Sequence, residues 1–221
     1  ENRVPLTGAF FIDDGKRKFR IMSVAGPMGR CIEDLQMALQ IIAGPDHQDT
    51  NTPPVPWRNI GRPDIRKLRI AWIPKIPNVP ILPSIQSAIE TLVSRLEQEG
   101  AKIELIAPNI NFIEQSQLGE RLFGILAPTL APRADNAPPS PIDDYIQLLD
   151  QRDLYITAWE HFFAKWDVFI CPSGTITAPR QSDKGWEVVG LDLDEQQQSL
   201  LDVPYNLSPV NACPTVVMPL G

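Results

Sequence analysis

Apolar residues recur along the chain with two periods, and each period places an element. Ile32, Leu35, Leu39 and Ile42 return at intervals of three and four, which is one face of a helix. Glu33 and Asp34 suit its positive end, and Gly44-Pro45 stops it. From Lys67 to Ile73 the period falls to two: Leu68, Ile70 and Trp72 point one way, Arg69 and Ala71 the other. The loop Pro74–Pro83 leads to a predicted helix from Ser84 to Gln98. Its inward stripe is Ile85, Ile89, Leu92 and Leu96, and Gly100 is placed for a left-handed cap. Ala101–Ile106 reads as another strand. Strand, helix and strand at this spacing form a βαβ unit, so the pattern predicts parallel pairing in an α/β fold.

Further on, 112–126 is helical, and so are 143–149 and 152–165, the last carrying Leu154, Trp159, Phe162 and Phe163. Trp166–Cys171 is an apolar strand, and Pro172-Ser173-Gly174-Thr175 turns the chain out of it. Residues 1–22 read as an opening arm, strand-like over 16–22. Three segments, 46–63, 127–141 and 180–196, read as loops. A short helix near 197–202 precedes Pro204-Tyr205-Asn206, and Thr215–Met218 is predicted to be a last buried strand. No internal repeat interrupts this order, so residues 1–221 read as one α/β domain. Proline numbers 23 of 221, twice the usual ~5%, and gathers between the periodic segments, which makes the loops ordered ones.

Composition narrows the chemistry. Lys and Arg total 20 against 27 Asp and Glu, and a net charge of -7 without a basic stripe excludes nucleic acid as a main partner. Hydrophobic residues at 43% and charged ones at 21% exclude wholesale disorder. A compact chain of 24.7 kDa exposes about 10,000 Å². No apolar run reaches the ~18 residues that a membrane span needs, and Glu1–Pro5 carries no signal pattern. The absent initiator Met marks a processed chain or a piece of a longer one. Cys31, Cys171 and Cys213 with two histidines make no metal-ligand spacing. The expectation is no metal, no cofactor, and a reducing compartment, the cytoplasm.

Residues with reactive groups are few. Ser173 lies at a strand end, where α/β sheets present functional groups, yet outside a G-x-S-x-G elbow; a polar turn residue is the simpler reading. His161, between Trp159 and Phe162, reads as a packed or surface side chain. Cys213 reads as small and buried.

Several segments in order resemble the amidase signature family. Val4-Pro5 with Gly8 resembles its G-R-V-P-x-x-G stretch. Ser23-Val24-Ala25-Gly26-Pro27-Met28-Gly29-Arg30 through Glu33-Asp34-Leu35 and Ala43-Gly44-Pro45-Asp46 resembles its G-P-M-x-R helix and closing A-G-P-D. Arg152 through Phe162-Phe163 and Trp166-Asp167-Val168 follows, and Cys171-Pro172-Ser173-Gly174-Thr175 stands where the family has T-P-T. Asn206, Pro214 and Pro219-Leu220-Gly221 resemble its terminal N…P…P-x-G. Departures are Cys31 for Ser or Thr, Cys171 for Thr, and Pro209 where an alignment anchored on Pro214 expects Asn.

The resemblance implies a partial amidase-signature fold: a mixed, mostly parallel sheet flanked by helices. It implies cleavage of carboxamide C–N bonds by a Ser–cis-Ser–Lys triad, chemistry that needs neither His nor metal. In the family the Gly/Ser-rich loop and the Lys precede the matched segments, and this sequence contains no Gly-Gly or Ser-Ser pair. No catalytic residue is therefore assigned, and the chain alone is expected to be inactive. The resemblance does imply pocket lining by Cys171, Ser173, Thr175, Asp202 and Asn206, with the 74–83 and 127–141 loops. A small-molecule amide would bind only together with the missing catalytic part. Apolar surface meant for that part would be covered by it or by a second copy. The alternative is a non-catalytic binding or assembly subunit derived from an amidase.

Overall fold

A computed structural model describes residues 2–7, 21–58, 61–129, 141–178, 180–182, 185–187 and 190–220. The expected strand over 16–22 and most of the 127–141 loop lie outside them. Helix α1 is Ile32–Ile42. Strand β1 (Arg69–Trp72), helix α2 (Pro83–Gln98) and strand β2 (Lys102–Leu105) form the βαβ unit read from the pattern. Helices α3 (Phe112–Leu126) and α4 (Ile142–Phe163) follow, then strand β3 (Val168–Ile170).

The sheet has the order β2-β1-β3 and is parallel throughout, with Ile70 opposite Ile103 on one side and Val168 on the other. β1 is thus central. Ile70 and Ala71 are both buried, so both faces of this strand are covered, and simple alternation is lost as it is in parallel sheets packed on two sides. At the strands' start, Asp167 clamps β1 to β3. Its Oδ2 accepts from the Arg69 backbone N–H at 2.8 Å and from Nε at 3.0 Å, and its Oδ1 from Nη2 at 2.7 Å.

The larger core lies under β1 and β3. Trp159 is 2% exposed and meets Phe112, Phe162 and Phe169 edge-on, with centroids 5.5 to 6.3 Å apart, while Phe163 stacks on it at 5.7 Å. Its indole Nε1–H donates to Gln115 Oε1 at 2.9 Å, as a buried indole requires. A smaller cluster joins Leu118, Leu122, Leu148 and Val210.

The structure departs from the sequence expectations in several places. Helix α4 is one unbroken helix of 22 residues rather than two. The 180–196 segment is not all loop: β4 (Arg180–Ser182) and β5 (Gly185–Glu187) pair antiparallel, and α5 (Glu195–Gln198) closes it with a capping box on Asp194. Helix α6 (Val203–Asn211) follows Asp202, despite Pro204 and Pro209. Pro204 occupies the first turn, where a missing N–H costs nothing. Thr215–Met218 is not a strand, and Val216, Val217 and Met218 are 71%, 67% and 53% exposed. β-propensity marked this stretch, but no neighbouring strand among the described residues pairs with it. The 46–63 crossing is also less superficial than its prolines implied. Asp49 and Thr52 are buried, and Asp49 Oδ2 accepts the Leu6 backbone N–H at 3.0 Å.

Candidate functional site at the strand ends

Parallel strands deliver their connecting loops to one edge, and two of those loops meet here. After β1 the chain buries Ile76, Val79 and Leu82, turning through Asn78 at a φ of 61°. After β3 it runs from Cys171 to Thr175. The Leu82 N–H donates to the Thr175 carbonyl at 2.9 Å and joins the two loops. Thr175 is 1% exposed, and its Oγ1 donates to the Leu201 carbonyl at 3.2 Å, which adds the segment entering α6. The Cβ position of Gly174 lies 2.8 Å from Tyr205 Oη, so the turn and α6 sit closer than a side chain permits.

The five expected lining residues divide. Cys171 faces the aromatic core, and burial pushes its thiol up to about 12, which leaves it a neutral packing group. Thr175 holds loops together. Ser173 is exposed, and among the described residues its hydroxyl has no hydrogen-bond partner. Asp202 is exposed at the start of α6 and makes no side-chain cap. Asn206 turns from the edge towards α3, where its Nδ2 donates to Ser116 Oγ at 3.0 Å. Ser173 and Asp202 are thus the two polar side chains of the set left accessible, beside Tyr205. Among the described residues no three His, Cys, Asp or Glu gather to hold a metal.

Sequence reasoning missed a buried polar strut behind this edge. Gln115 is fully buried; it accepts from Trp159 and donates through Nε2 to the Leu207 carbonyl at 2.9 Å. Arg152 Nη2 donates to the Pro209 carbonyl at 3.2 Å. Together they tie α3 and α4 to α6, each donating to one of its backbone carbonyls. The signal was present. Gln115, Ser116 and Gly119 share a stripe with Phe112, Leu122 and Leu126, and polar residues on a buried stripe need partners.

A parallel sheet with proline-rich loops at its carboxyl edge occurs in many folds, so comparison with known proteins decides the lineage. The sequence model of the family described as Amidase matches residues 2–117. The chain belongs to the amidase family. Among curated relatives of this amidase-family chain, the Rhodococcus erythropolis acylamidase is 26% identical over 223 aligned positions, which cover 89% of this chain and 45% of that enzyme. A glutamyl-tRNA(Gln) amidotransferase chain of Symbiobacterium thermophilum is 35% identical over 83 residues, 36% of this chain and 17% of the relative. The chain therefore spans less than half the length of these relatives. Solved structures agree on the fold. A fatty acid amide hydrolase superposes with a TM-score of 0.60 at 20% identity, covering 85% of this chain and 34% of that one. A bacterial aryl acylamidase of the amidase signature enzymes gives 0.56 at 14% identity over 94% and 48%.

Proposed function

We propose that this amidase-family chain supplies scaffold and pocket wall to a hydrolase of carboxamide C–N bonds whose nucleophile lies outside these 221 residues. The observation that carries the reading is the junction of the β1 and β3 loops through Leu82 and Thr175, set against α6 at the Gly174–Tyr205 contact. It makes a rigid wall whose accessible polar groups are Ser173 and Asp202, with Cys171 behind them as apolar backing. Ser173 has no base beside it among the described residues, so it serves as a hydrogen-bonding group to the amide rather than its attacker.

The partner in this reading is the catalytic half. Helix α1 supports it: no residue of α1 is buried, and Ile32 and Ile42 of its apolar stripe are 60% and 39% exposed, the kind of apolar face that meets another polypeptide. The three cysteines are free, in keeping with a reducing compartment such as the cytoplasm. No helix among the described residues is long and apolar enough to cross a membrane.

The test is amide hydrolysis by the purified chain, alone and with a separately produced Ser–Ser–Lys-bearing amidase segment. Turnover is expected only in the mixture. Turnover by the chain alone that Ser173→Ala abolishes would overturn the proposal. Tight association without turnover in any mixture would favour the second reading, a non-catalytic assembly role, which the exposed face of α1 also fits.

A further inference from the structure

Between α3 and α4 runs a groove of about 510 Å³, well inside the size range of small-ligand pockets. One wall is a stripe of α3, Glu114, Leu118 and Arg121, spaced at i, i+4 and i+7 so that all three share a face. The other wall carries Gln151 and Tyr155 of α4, again four apart. Leu118 is 3% exposed and forms an apolar floor. The loops after β1 and β3 contribute nothing to this lining.

Glu114 and Arg121 stand at opposite ends of the stripe. Seven residues of helix separate their Cα positions by about 10 Å along the axis. Neither is ion-paired with any described residue. Gln117 on α3 and Gln151 on α4 also line the groove, each carrying two N–H donors and an acceptor oxygen. Burial, with the Glu114 charge nearby, raises the Tyr155 phenol above its ordinary range, so it remains a neutral O–H donor on the second wall. An apolar floor, amide-bearing walls and opposite charges at the two ends, unpaired among the described residues, describe one kind of occupant.

We propose that the groove binds a short linear zwitterion, specifically an extended peptide of about three residues with both termini free. Its ammonium meets Glu114, its carboxylate meets the Arg121 guanidinium fork, and its backbone amides bond to Gln117 and Gln151. Extended chain advances ~3.3–3.6 Å per residue, so three residues match the ~10 Å between the two helix positions. The inference does not depend on the proposed amidase role.

The test is a titration of the isotope-labelled full chain with trialanine, dialanine and N-acetyl-trialanine amide, followed by NMR. Trialanine should shift the resonances of Leu118, Gln151 and Tyr155. The doubly capped peptide and dialanine should each bind about tenfold more weakly. Glu114→Gln and Arg121→Gln, both on exposed side chains, should leave the circular dichroism spectrum unchanged while weakening trialanine several-fold. Equal affinity for capped and free peptide would overturn the proposal. So would no shift at about 10 mM peptide, or shifts that map away from α3 and α4. Concentration-dependent broadening of the same resonances without peptide would identify a second copy as the occupant and overturn it too.

Discussion

Helices α1 and α2 are written alike and end differently. Both carry apolar residues at intervals of three and four, both are amphipathic, and both follow prolines. In α2 the stripe is used: Ile89 and Val93 are each 3% exposed. In α1 none of eleven residues is buried, and its tertiary backbone bond runs from Gly44 N–H, just beyond its end, to the Arg3 carbonyl at 3.0 Å. A hydrophobic stripe states which face avoids water, and burial needs a second surface that the stripe does not encode. An isolated helix of this length is marginal in water, so α1 depends on whatever covers it.

The comparison is sharpest where covered and uncovered residues are removed in turn. Trp159→Ala empties the site where four rings meet and leaves Gln115 Oε1 without its donor. The expected loss is about 3–5 kcal/mol, read as a fall in the denaturation midpoint. Gly119→Val comes next. A Cβ there lies 2.9 Å from Val210 Cγ2 and 3.4 Å from Asn206 Cβ, so α3 and α6 must separate. Removing a helical glycine returns up to about 1 kcal/mol of propensity, but the two further methyls have no room. A net loss of about 1–3 kcal/mol is expected, from overpacking. An unchanged midpoint would show that α6 is as loosely held as α1.

A smaller effect tests the clamp at the start of β1 and β3. The hydrogen bonds and charge of Arg69 lower the Asp167 carboxyl from 3.8 to about 2. A carboxylate depressed on folding stabilises the native state fully above its unfolded value. That contribution falls away as pH drops from about 4 towards 2. Asp167→Asn should lower stability at neutral pH and flatten the acid limb of the stability profile in that window. Part of the slope should remain, because Asp46 is also held at about 2, by Thr7 and by the backbone N–H groups of Asp49 and Gln48. An acid limb identical to that of the unaltered chain would mean the clamp is open in solution.

Much of the fold was legible because its determinants are local. The βαβ unit follows from period, turn residues and the order of elements, and α3 and β3 fell close to their observed bounds. What failed was set by partners distant in sequence. Thr215–Met218 has the composition of a strand, yet a strand exists only beside another strand. Helix α6 carries Pro204 in its first turn and Pro209 inside it, and it is held by Gln115 and Arg152, 92 and 57 residues from the carbonyls they serve. The candidate site shows the same limit. The motif named Cys171, Thr175 and Asn206 as lining, but only packing shows that the three side chains are engaged with the core, Leu201 and Ser116, and Tyr205 emerged through its approach to Gly174.

The last and smallest expected effect is the one on which the comparison of α1 with α2 stands or falls. Ile32, on the α1 stripe, is 60% exposed, so Ile32→Ser removes little buried area and should change the stability of the isolated chain by no more than about 0.5 kcal/mol. The equivalent change at Ile89 in α2 removes a buried side chain and should cost several times as much, about 2–5 kcal/mol. If Ile32→Ser destabilises the lone chain comparably, α1 is already covered in solution, and a concentration series would show whether a second copy covers it. If it is silent in the lone chain but weakens association with the proposed catalytic half about tenfold, the stripe on α1 is an interface written into a helix before its partner arrives.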